Sequence, residues 1–171
     1  GTTTINSVLA GTAGFVKAGS GGLQLNGVNT FTGDVNLQLG TLGLDSDAAL
    51  GAAGNGVTIA STTVPSTALL SNTALAASRI VTLAGTGTVN LRGAVGSATF
   101  TGTANVAGYS GLIMSNAASN YTGTTSFVGG GTYGFTSIGN LGQASSLGAP
   151  TTEATGLIVV QAGGGLGGTL N

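Results

Sequence analysis

"NTFTGDVNLQLGTLGL", residues 29–44, is the stretch whose reading decides the fold. Within it Val35, Leu37 and Leu39 alternate with Asn36 and Gln38. A period of two puts the aliphatics on one face and the amides on the other, the pattern of a strand buried on one side. The strand is entered through Asn-Thr-Phe-Thr-Gly, a turn-forming group with an aromatic at its centre. The same phrase returns at residues 119–135 as "SNYTGTTSFVGGGTYGF".

The alternation recurs along the chain. "GLQLNG" sets Leu23 with Leu25, and "GVTIAS" sets Val57 with Ile59. "GTVNLRG" sets Val89 with Leu91 against Asn90 and Arg92, and "SATFTG" sets Ala98 with Phe100. These read as short strands bounded by Gly or Asn. Helical signal is thin. "TALLSNTALAAS" (67–78) has the Ala and Leu for a helix, but its flanks "TVPS" and "SRIVTL" read as turn and strand. We expect strand or irregular chain there, with at most a helical turn. "DSDAALGAAG" (45–54) is expected to hold one short turn, capped by Asp45 or Ser46.

Hairpin proteins advertise two-residue Asn-Gly or Asp-Gly turns. Here only Asn26-Gly27 and Asn55-Gly56 qualify, and the other turns are single Gly, Gly-Gly or Gly-Thr. That suits strands that bend and continue the same way round. In the repeated phrase Phe31 matches Tyr121, Thr32 matches Thr122 and Gly33 matches Gly123, an offset of 90 (121 − 31). "GTLGL" (40–44) matches "GTYGF" (131–135) at an offset of 91, Leu50-Gly51 matches Leu147-Gly148, and "VTI" (57–59) matches "IVV" (158–160). An offset that drifts upward is the mark of a solenoid with insertions at its corners. At roughly 20 to 25 residues per coil such a unit is about four coils, and the chain holds about seven to nine. With about 4.8 Å between rungs the rod is roughly 35 to 40 Å long. The expected fold is an all-β parallel β-helix with little or no helix. It is a single segment over 1–171 with an internal repeat at about 9–60 and 107–160.

Composition narrows the function. Charged residues are 4% of the chain, against roughly 25% in an ordinary domain. They are Lys17, Arg79, Arg92, Asp34, Asp45, Asp47 and Glu153. Three scattered cations cannot displace the counterions of a nucleic acid or hold an anionic membrane surface. No stretch approaches the roughly 18 apolar residues of a membrane span. The first residues carry no basic, then apolar, leader. Cysteine is absent, so disulfides and thiolate metal sites are excluded. Disorder is disfavoured because 41% of the chain is hydrophobic and that fraction is patterned. The closing "GGGLGGTLN" offers no polar cap, which points to a piece of a longer chain or to an end that meets another copy.

With these residues in hand, the chain resembles the autotransporter-associated β-strand repeat, also called the passenger-associated transport repeat. "LAGTAGFVKAGSGGLQLNGVNTFTGDVNLQLGTLGL" (9–44) follows that pattern. A Gly-rich lead comes first, then a Lys-x-Gly-x-Gly step, a Leu-x-Leu strand, Asn-x-(Tyr/Phe)-Thr-Gly and a closing Gly-x-Leu. "ASRIVTLAGTGTVNLRG" (77–93) is similar to the spacer between such units. The second copy, "YSGLIMSNAASNYTG", lacks the Lys and the Gly-x-Gly step. The resemblance implies a right-handed parallel β-helix in a large secreted or surface-displayed bacterial protein. It associates the repeat with adhesion, surface display and passenger export.

The residues make physical sense without the family. Asn29 or Ser119 can stack on its equivalent in the next coil and satisfy corner backbone. Phe31 and Tyr121 are inward or corner-stacking anchors. Gly33 and Gly123 are expected to supply the positive φ of a sharp bend. Lys17 and Arg79 are expected to point to solvent. Asp34 is expected to accept from local backbone N–H groups.

Chemistry has little to build on. There is no His or Cys. Asp45 and Asp47 on a turn could grip a cation, but calcium takes about six to eight oxygens, and a polysaccharide-cleaving site needs clustered carboxylates or cations. "GNGVTIA" and "GGGLGGTLN" lack the Lys-Ser/Thr step of a phosphate loop. "ATFTGT" (98–103) hints at an ice-binding Thr ladder, although Thr does not recur at one fixed coil position. We assign no catalytic, cofactor-binding or metal residue, and no cofactor. The reading is a non-enzymatic structural or adhesive solenoid, extracellular or on a bacterial cell surface. Its candidate partners are its own continuation, another copy stacked end to end, or cell-surface or matrix glycans. It makes no nucleic-acid contact and no membrane insertion. The alternative is a glycan- or ice-binding module, and less favoured is a polysaccharide-degrading enzyme.

Overall fold

The computed structural model describes residues 1–61, 67–109 and 111–161. Strands alternate between two faces of one coil. The first face carries β1 (Thr2–Ile5), β3 (Gly22–Leu25), β5 (Thr41–Leu44), β7 (Thr67–Ser71), β9 (Thr88–Gly93), β11 (Asn105–Tyr109), β13 (Thr125–Val128) and β15 (Ile158–Gln161), stacked in that order. The second carries β2 (Phe15–Lys17), β4 (Val35–Leu37), β6 (Val57–Ser61), β8 (Ile80–Gly85) and β10 (Thr99–Gly102). A two-stranded sheet, β12 (Ile113–Met114) with β14 (Gly134–Phe135), occupies the corner between them. Every described pairing is parallel. The fold is a parallel β-solenoid with eight strands stacked on its first face. The coils differ in length. Thr2 pairs with Gly22 and Gly22 with Thr41, but Thr41 pairs with Ala68 and Thr125 with Ile158.

The alternation does its work through register. Leu23, Leu42, Leu69 and Leu91 lie one above another on the first face, as do Phe15, Val35, Val57, Val81 and Phe100 on the second. These columns meet in one continuous core. Each fully buried aliphatic contributes roughly 1.5 to 3 kcal/mol. "TALLS" at the start of 67–78 is strand β7, not helix. The expected turn in 45–54 is a single 3₁₀ turn, Asp47–Leu50, preceded by Ser46, whose side chain makes no capping bond. The "TVPS" flank and the terminal "GGGLGGTLN", on which the uncapped end rests, lie outside the described residues.

The repeated phrase builds a corner clamp. Thr30 N–H donates to Leu9 O and Thr32 N–H to Gly11 O, tying one coil to the coil before it. In the second copy Asn120 N–H donates to Phe100 O and Thr122 N–H to Gly102 O. Asn29 does not stack on an equivalent. It accepts from Leu9 N–H at 2.7 Å and donates to Ala49 O at 2.7 Å, bridging the coils on either side. Ser119 Oγ accepts from Phe100 N–H at 3.0 Å. Phe31 and Tyr121 are both buried anchors, and the carbonyl of each accepts from the coil beyond, from Ala52 and Ala149. Phe15 meets Phe31 edge-on at 5.7 Å.

The glycines of the phrase differ from expectation. Gly33 and Gly123 do not have positive φ. Their constraint is contact, since a Cβ would run into the backbone of Gly14 in one case and Ala104 in the other. Positive φ falls instead at Gly51 (74°) and Gly148 (85°), which follow the matched leucines. The matched strands also land on different faces. β4 and β6 follow the first clamp on the second sheet, whereas β13 and β15 follow the second clamp on the first sheet. The 90-residue unit is therefore not a whole number of coils, and its second copy is turned by one face.

Three charged side chains are placed otherwise than expected. Lys17 shares the inward column of Leu37 and Ile59. Arg79 is 1% exposed. Asp34 accepts from Gly56 N–H at 2.6 Å, in the next coil, not locally. Lys17 and Arg79 are buried because corner carbonyls released from the ladder need donors more than the cations need water.

Gly33→Ala should therefore lower stability by about 1 to 3 kcal/mol or more, as overpacking against unyielding backbone does. Gly54→Ala is the control, because a Cβ at Gly54 meets nothing within 4 Å. Urea midpoints of the two variants should separate clearly, and equal midpoints would refute the close-approach account. Burial pushes the Tyr121 phenol up to about 12, opposed by its hydrogen bond with Thr125. A raised folded pKa stabilises below the unfolded value, and that share is lost between about 10 and 12. In an alkaline tyrosinate titration, Tyr121→Phe should remove the component that ionises near the top of that window.

Candidate functional site

Most of the few charged groups serve as structure. Lys17 Nζ donates to Gly19 O at 2.7 Å, Leu39 O at 2.9 Å and Ala18 O at 3.1 Å, so all three ammonium donors are used. Arg79 sits in front of β8 and reaches back to the excursion around the 3₁₀ turn. Its Nη2 donates to Asp47 Oδ2 at 2.6 Å and Nε to Asp47 Oδ1 at 3.1 Å. Nη1 donates to Ala52 O and Asn55 O at 2.8 and 2.9 Å. Ala76 N–H also donates to Asp47 Oδ1. Burial by itself raises the Asp47 pKa, but the hydrogen bonds from Arg79 and Ala76 and the guanidinium charge hold it below the usual carboxylate value. Asp47 is thus turned onto Arg79 while Asp45 is exposed, so the two do not form a common cation grip. No three His, Cys, Asp or Glu side chains cluster as metal ligands among the described residues.

Arg92 is the exception among the cations. It lies outward on β9, directly after Leu70 in register, and its guanidinium rests 4.5 Å from the centre of the Tyr109 ring. Around it Thr41, Ala68, Leu70, Asn90 and Tyr109 line a groove of about 230 Å³ across four rungs of the first sheet. The sequence places Asn90 and Arg92 outward together. It does not single out Tyr109, whose position above Arg92 follows only from the Val89–Val106 register. On the second face Thr58, Thr82 and Thr101 do stack at one coil position, contrary to expectation. The column gives way to Asn36 and Val16 and remains a single file.

A parallel solenoid with clamped corners is consistent with an autotransporter passenger repeat. In sequence it is 49% identical over 164 residues to the Adhesin BmaC autotransporter of Brucella suis biovar 1 (strain 1330). The match takes in 95% of this chain, and the chain spans 5% of that relative's length. No family model matches the chain, and no solved structure matches it. No helix among the described residues is long and apolar enough to cross a membrane.

The Arg79–Asp47 pair yields a signed pH dependence. A depressed folded pKa contributes stability above the unfolded value, 3.8, and that contribution is lost as pH falls through the folded value. Wild type should lose stability below about pH 4 more steeply than Asp47→Asn, read from thermal midpoints across acid pH. Arg79→Met should cost about 3 kcal/mol, because it leaves the Asp47 carboxylate without its cation and takes the side-chain donor from Asn55 O. Arg79→Lys should not restore it, since an ammonium cannot span the same fork.

Proposed function

We propose that this chain is a stiff segment of a longer, surface-displayed passenger, and that its outer faces do adhesive work. The observation that carries the reading is the ladder itself. Each rung spends its backbone donors and acceptors on the rungs above and below, so the rod resists bending and offers side chains, not main chain, to its surroundings. The adhesin name of the relative supports contact with another surface. The scarcity of charge supports contact without a large desolvation cost. The reading is non-enzymatic: Lys17, Arg79, Asp34 and Asp47 are all engaged in holding corners.

A second reading is self-stacking. The outer edge of β1 has no strand paired to it among the described residues, and β1 pairs only with β3. Such an edge accepts either more of the same chain or another copy. Beads coated with the chain should attach to cultured epithelial cells more than albumin-coated beads do. Equal attachment would sink the adhesive part of the proposal. Negative-stain microscopy of the same material decides the second reading: fibres of constant width support it, and isolated short rods reject it.

A further inference from the structure

We propose that the groove on the first sheet is a subsite for the carboxylate of an acidic saccharide, with Arg92 as its anchor. The proposal deepens the adhesive reading and rests on it for its biological meaning. Its starting point is the contrast among the three cations. Lys17 and Arg79 have their donors consumed by carbonyls and Asp47. The Arg92 side chain makes no hydrogen bond and no ion pair with any described residue, and its guanidinium is held by the Tyr109 ring. Stacking fixes the guanidinium plane and leaves its edge donors free. A planar fork held in place with free donors suits a bidentate carboxylate.

Asn90 is a second, independent pointer. It is 8% exposed and lines the same groove, yet its side-chain amide has no partner. Buried polar groups are normally hydrogen-bonded, so a nearly buried amide left open toward a groove is matched to a ligand that brings both donor and acceptor. Sugar hydroxyls do this. None of the groove's lining residues is a carboxylate, so nothing there opposes an anion.

The same geometry argues against a peptide. Strand addition needs an open sheet edge. Here the groove crosses β5, β7, β9 and β11, whose backbones are laddered on both sides. Aliphatic lining is limited to Ala68 and Leu70, and the Tyr109 ring is occupied by Arg92, which leaves too little to seat a side-chain anchor. A nucleic acid would need several phosphate contacts, and the groove has one cation.

The test uses the 171-residue chain and an oligosaccharide of alternating glucuronate and N-acetylglucosamine as probe. Titration should shift the side-chain amide resonance of Asn90. Arg92→Gln should weaken binding at least about tenfold, the usual weight of a charge-assisted pair. Arg92→Lys should fall between, and carboxyl reduction of the probe should match the loss in Arg92→Gln. Asn90→Asp, which sets a carboxylate in the groove, should abolish binding, while Asn90→Ser controls for folding by circular dichroism. Absence of binding, unchanged binding by Arg92→Gln, equal binding of the reduced probe, or equal binding of polyglutamate would each overturn the proposal. The bead assay separates the two readings. Beads that attach equally well with Arg92→Gln remove this subsite and leave adhesion standing. Probe binding by a chain whose beads do not attach leaves the subsite and removes adhesion.

Discussion

In-register parallel stacking is the constraint from which the other features follow. A rung in this coil has no hairpin partner of its own. Its backbone is satisfied only by the rungs above and below, so every coil must present the same strand at the same height as its neighbours. The inward columns of Leu, Val, Ile and Phe are one consequence. The corner clamp is another. Where the chain turns, ladder bonds are interrupted, and Asn29, Ser119 and the carbonyls of Phe31 and Tyr121 carry the connection between coils instead.

The corners also explain where the charges go. A coil that bulges, as around the 3₁₀ turn Asp47–Leu50, releases carbonyls that water does not reach freely. A guanidinium with five donors can collect several of them at once, and an ammonium can collect three. Arg79 and Lys17 do so, and Asp34 answers an N–H in the same manner from the opposite sign. In a chain that is 4% charged, spending charges inside leaves the outside nearly neutral. That outside is suited to close contact with another surface, since little charge must be stripped of water. Arg92 stands out on it because it is not committed to a corner.

Much of this was legible in the amino-acid sequence. Period-two runs such as Val35–Leu39 located strands, the scarcity of hairpin turns implied one direction of winding, and the phrase shared by residues 29–44 and 119–135 located corners. Those signals are local, and a local signal survives without knowledge of the neighbours. The alternation even contained the burial of Lys17, two residues after Phe15 on the same face. A rule that charges face water obscured it.

What only the tertiary structure decided depends on register between rungs. The sequence cannot tell a glycine needed for positive φ from one needed for close approach, because the difference lies in whether Gly14 or Ala104 sits against it. Nor can it bring Arg79 to Asp47, 32 residues away, or set Tyr109 over Arg92. Corner excursions vary in length from coil to coil, so the residue that ends up one rung above is fixed by stacking, not by a constant spacing. The sequence by itself determined that strands coil and where they bend. Stacking determined which side chains meet, and with that the groove.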